Sequence, residues 1–143
     1  MNVPIVVLVV ALAGCGAGGK DVEVKGNDNE LAKIAGDWQG TYKGVDSGRS
    51  GPVRFSLQLG RHVAEGEVVM DSTTPLKIEF VQIKSGQIKG TIAPYTDPSC
   101  ACQVETSFLG TIAGDAISGT FETKIAAKHL TQTGAWEAAR KAR

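Results

Sequence analysis

Two reactive side chains stand close together at one place in this 143-residue sequence, Cys100-Ala101-Cys102. Thiols at that spacing can close a small disulfide, act as a labile redox pair, or supply half of a soft-metal site. Zinc needs further ligands nearby, and the two histidines, His62 and His129, are distant in sequence. Glu65 and Glu67 form a carboxylate pair, but two carboxylates on the wet side of a strand are ordinarily solvated. No Ser-His-Asp, Cys-His or phosphate-cradling pattern occurs. The reading is a non-enzyme, with no catalytic residues, no metal and no cofactor. Fifteen basic residues balance fifteen acidic ones, so no positive field exists to hold nucleic acid.

The elements that carry these groups follow from a repeated unit. Trp38-Gln39-Gly40-Thr41-Tyr42 is apolar, polar, Gly, polar, apolar, and the pattern returns at 64–68, 88–92, 108–112 and 117–121. In a strand, the outer residues and the Gly share one face. Eight strands are predicted, at 37–43, 53–59, 62–70, 76–83, 87–93, 103–112, 115–124 and 133–140. Their connections alternate between tight turns with Gly, such as Lys84-Ser85-Gly86, and longer loops. One face of each strand is apolar, with Trp38, Tyr42, Phe55, Leu59, Met70, Leu76, Phe80, Phe108, Phe121 and Trp136. The other is mostly polar, with a small apolar patch of Val63, Val81 and Ile83. Without helices to cover such a sheet, closure is the way to remove its edges. The fold class is therefore all-β, an eight-stranded antiparallel up-and-down (meander) barrel. A two-sheet sandwich is the alternative. All long loops fall at one end, which makes that end the mouth.

Residues 3–14 carry no charge. Twelve residues are too few to cross a hydrocarbon core of about 30 Å as a helix, but they suit the apolar region of a signal peptide. The segment ends in Leu12-Ala13-Gly14-Cys15, which resembles the lipobox of bacterial lipoproteins. That resemblance implies a signal peptide at 1–14 and acylation of Cys15, which anchors the mature chain to a membrane. Gly16, where such lipoproteins can carry Asp, implies the outer membrane of the cell envelope, facing the periplasm. Residues 15–29 then form a flexible tether and 30–143 the barrel domain, with a helical turn at 30–35 capped by Asn29. The first predicted strand starts at the short-turn end, so the tether attaches opposite the mouth. With Cys15 acylated, Cys100 and Cys102 remain as an even pair in an oxidising compartment. A local disulfide is favoured over free thiols, intermolecular pairing or a metal.

Gly36-Asp37-Trp38, at the start of the first predicted strand, resembles the G-x-W of lipocalins, a calycin-type barrel family. The resemblance implies that Trp38 seals the barrel base and that Arg140, near the end of the last strand, packs on it. It implies a small apolar or amphipathic ligand, inside the barrel or at its mouth. The inward residues placed to touch one are Tyr42, Phe55, Met70, Leu76, Phe108 and Phe121. The alternative is a solid-core structural or protein-interaction module that meets another envelope protein through its rim loops or the Val63, Val81 and Ile83 patch.

Overall fold

A computed structural model describes residues 21–70, 74–98 and 100–141. The elements run β1 (Asp21–Lys25), α1 (Asp28–Ile34), β2 (Gly36–Gly44), β3 (Ser50–Leu57), β4 (Val63–Met70), β5 (Thr74–Leu76), β6 (Ile78–Lys84), β7 (Gln87–Asp97), β8 (Cys102–Ala113), β9 (Ala116–Ile125) and β10 (Leu130–Arg140). All ten strands belong to one sheet. Around the ring they follow the order β1, β6, β7, β8, β9, β10, β2, β3, β4, and β4 pairs back to β1 to close it. Nine strands build the barrel wall, and the short β5 lies outside the ring on the mouth-side half of β4.

The closed all-β barrel differs from the predicted eight-strand meander in its strand count and in being of mixed direction. The extra strand, β1, comes from the stretch read as tether, so the tether boundary at residue 29 is corrected. Val22 and Val24 are buried between exposed Asp21, Glu23 and Lys25. That is a half-buried strand carrying two apolar residues, too few to stand out from a polar linker. It is wedged between β4, to which it is antiparallel (Asp21↔Glu65), and β6, to which it is parallel (Glu23↔Phe80). The gap exists because the predicted strand 76–83 breaks in two. Its first residue, Leu76, belongs to β5, which pairs with β4 at Val68↔Leu76. At Ile78/Phe80 a bulge shifts the register of the remainder, β6. Among the described residues, β1 then bridges β6 to the base-side half of β4 by ladder pairing. It enters the wall level with Glu65, in the base-side half of β4, and runs toward the closed end.

The same bulge reverses which face each later residue takes. Val81 and Ile83, predicted outside, lie in the core. Phe80, predicted inside, is only half-buried, with the Lys25 ammonium 5.8 Å from its ring centre. The apolar patch of Val63, Val81 and Ile83 therefore does not form, and Val63 alone is exposed. Leu59 lies beyond the end of β3 and is exposed too. A second register shift, between Ile92 and Tyr95, lets β7 continue to Asp97 and takes Tyr95 from a predicted loop into the wall.

The closed end is built around α1. Asn27, rather than Asn29, caps it by accepting from the Glu30 N–H at 2.9 Å. Leu31 and Ile34 form its buried face. The Trp38 Nε1–H donates to the Ile34 carbonyl at 2.8 Å. The Arg140 guanidinium stacks 4.6 Å from the Trp38 ring centre. It also donates to the carbonyls of Lys33 (2.7 Å) and Ala35, and to Asp115 at 2.9 Å. Carbonyls at a helix C-terminus lack intrahelical partners, and one guanidinium serves two of them here.

Candidate functional site

Barrel interiors of this size are readily filled by side chains, and open space in one needs a structural cause. The repeated Gly supplies it. Directly across the ladder from Phe55 is Gly66, from Phe108 is Gly90, from Trp136 is Gly119, and from Phe121 is Gly134. A Cβ built at Gly90 or Gly134 would strike the ring opposite it. Each ring therefore covers the bare backbone of its neighbouring strand and need not project to the barrel axis. Tyr42 packs edge-on to Phe121 and Phe108 edge-on to Trp136, both with ring centres 5.8 Å apart.

Between these rings lies a cavity of about 110 Å³. Its floor includes Ile34 and Trp38, and its walls include Val53, Ile78, Ile88 and Ile117. Toward the mouth the lining turns polar, with Thr106, Thr123, Gln132, Arg49 and Asp97. Of the residues named from sequence, Tyr42, Phe55, Leu76, Phe108 and Phe121 line this cavity. The side chain of Met70 and all of Cys15 lie outside the described residues. Trp38 and Arg140 meet at the closed end, as set out above.

The mouth is crossed by an ion pair. Arg49, in the loop after β2, donates from both Nη atoms to the two carboxylate oxygens of Asp97 at the end of β7, each at 2.7 Å. Asp97 is only 3% exposed. Going round the ring, β7 is separated from β3 by four strands one way and three the other, so the pair joins opposite walls. A bidentate, largely desolvated pair has fixed geometry. Its supports are local. The Arg49 carbonyl accepts from the Gly44 N–H at 2.8 Å, and the Asp46 carboxylate accepts from the Thr133 N–H at 2.8 Å.

Behind Asp97 the chain turns through the disulfide Cys100–Cys102. Ala101 sits at φ 51°, a left-handed conformation that bends the chain back within one residue, where an extended strand would hold the two sulfurs apart. The Cys100 N–H donates to the Asp97 carbonyl at 3.3 Å, so the small ring braces the segment that presents Asp97.

His62 lies 3.6 Å from the Asp28 carboxylate on the outside, and His129 sits exposed in the turn before β10. Glu65 and Glu67 share the outer face of β4, with Glu67 opposite Arg54. Among the described residues, no three His, Cys, Asp or Glu side chains gather as metal ligands do. Sequence reading missed the polar lining. Thr106 shares the face of Phe108, and Thr123 that of Phe121, so alternation alone points both inward. Arg49 and Asp97 sit in segments read as loops and carry no local signal of their pairing. Comparison with known proteins brings no matching family model and no matching curated protein to this chain.

Proposed function

We propose that this chain is a membrane-anchored envelope lipoprotein whose calycin-like barrel binds a small apolar or amphipathic molecule. The cavity carries the ligand reading. It is apolar over most of its depth, closed by Trp38 and α1 at one end and polar at the other. Its size narrows the class. A dry cavity of about 150 Å³ takes one benzene, so a space of about 110 Å³ suits a single ring or a short branched chain, not a two-chain lipid. The rings laid against glycines weigh against the solid-core alternative. The anchor rests on Leu12-Ala13-Gly14-Cys15 and the apolar run before it, and the outer membrane, on its periplasmic face, on Gly16.

Native mass spectrometry of the purified protein, before and after organic extraction and then with added toluene, tests the ligand reading. Wild type is expected to carry an extractable mass or to take up one toluene. Val68→Trp, which fills the cavity from its wall, is expected to take up none while keeping its β circular dichroism. A wild-type protein that binds neither would sink the reading. The anchor is checked separately: Cys15→Ser should move the protein from the membrane fraction to the soluble one.

A further inference from the structure

A polar row crosses the cavity wall at one level. Thr106 on β8 is the ladder partner of Ile92 on β7 and of Thr123 on β9, and Thr123 is the partner of Gln132 on β10. All four residues line the cavity. The two threonines are each 8% exposed, and their hydroxyl oxygens lie 2.7 Å apart. Two hydroxyls contain two hydrogens, and the bond between them uses one. The second O–H has no protein acceptor among the described residues. Gln132, half-buried beside the pair, makes no side-chain hydrogen bond among them either. An O–H hydrogen left without an acceptor in apolar surroundings is costly, and this one borders a space large enough for a ligand.

Among the described residues, the only charged ones on the cavity wall are Arg49 and Asp97, which neutralise each other at the mouth. An ionised ligand would bring uncompensated charge into an apolar lumen. A neutral oxygen would instead meet the spare O–H of the threonine pair, the lone pairs of either hydroxyl, and the Gln132 carboxamide.

We infer that the cavity selects a neutral, single-ring-sized molecule bearing one hydrogen-bonding oxygen, such as an alcohol, phenol or ketone, held at that oxygen by Thr106 and Thr123. The inference rests on the reading of the cavity as a ligand site and deepens it. Its recognition is polar and positional, whereas the phenylalanine rings of the lining supply only apolar contact.

Toluene and phenol, nearly equal in shape, are the probes. Affinities are measured by ligand-detected NMR titration on wild type, on Thr106→Val/Thr123→Val and on Thr106→Ser, each first shown to unfold cooperatively. The double valine variant keeps the shape and removes both hydroxyls. It is expected to bind phenol about two- to twelvefold more weakly, the range of one lost neutral hydrogen bond, with toluene unchanged or tighter. Thr106→Ser, which keeps the hydroxyl, is expected to retain wild-type phenol affinity. Equal change for both probes, or no change for either, overturns the hydroxyl pair while leaving the ligand site standing. If wild type binds neither probe, both this inference and the ligand reading fall.

Discussion

Replacing Trp38 by Ala is expected to lower the unfolding free energy by about 3–5 kcal/mol, the range for emptying a buried aromatic site. Three contacts meet at this side chain, which is 1% exposed. It packs with Ile34 and the base of the barrel core, its Nε1–H satisfies the Ile34 carbonyl, and its face carries the Arg140 guanidinium. Ala removes all three, leaving α1 held by buried Leu31 and Ile34 and by the Arg140 bonds to its carbonyls. Urea unfolding is the measurement. At an m-value of about 1.5 kcal/mol/M, the midpoint should fall by about 2–3 M. Trp38→Phe keeps a ring beneath Arg140 but loses the Ile34 hydrogen bond, so it should recover roughly half of the loss. A Trp38→Ala midpoint within about 0.5 M of wild type would mean that the closed end holds without its tryptophan.

The second large effect concerns the ninth strand of the wall. Val22→Asp/Val24→Asp places two carboxylates where two fully packed valines lie between β4 and β6. Burying one Val side chain is worth roughly 1.5–3 kcal/mol, so the double variant should lose about 3–6 kcal/mol before any cost of the charges. β1 is expected to leave the wall. The base-side edges of β4 and β6 then stand open, and open edges recruit other chains. The variant should show a lower urea midpoint together with concentration-dependent self-association in sedimentation velocity. A barrel closed directly by β4 against β6 would tolerate both substitutions. An unchanged midpoint with a monomeric boundary would therefore restore the eight-strand meander.

Both effects separate what a single sequence makes readable from what it hides. The strands from β2 to β10 are legible wherever apolar and polar residues alternate over a full strand and glycine marks the turns, as from Ala116 to Ile125. The barrel and the inward set of Tyr42, Phe55, Phe108 and Phe121 follow from that alternation. Bulges are not legible. The register shift at Ile78/Phe80 alters no composition, yet it sends Val81 and Ile83 inward and turns Phe80 away from the core. β1 is hidden for a different reason: its two valines reach significance only because a gap in the wall awaits them. The Arg49–Asp97 pair joins residues 48 apart, and nothing near either one encodes the other. Thr106 and Thr123 are readable by position but masked by their chemistry, because a hydroxyl on an inner face does not look like core.

The direction of β1 also fixes how the fold bears load. The strand begins level with Glu65 and runs toward the closed end, gripped by β4 on one side and β6 on the other. In an antiparallel ladder the hydrogen bonds lie across the strands. A pull on the chain ahead of Asp21, directed back toward the mouth, therefore acts along β1 and at right angles to its bonds with β4. That is shear, in which the bonds on both flanks resist together, not unzipping, in which they break singly and in turn. A tug at this end meets the wall of the barrel in its stronger direction, and the strand that closes the ring is also the one that takes the strain.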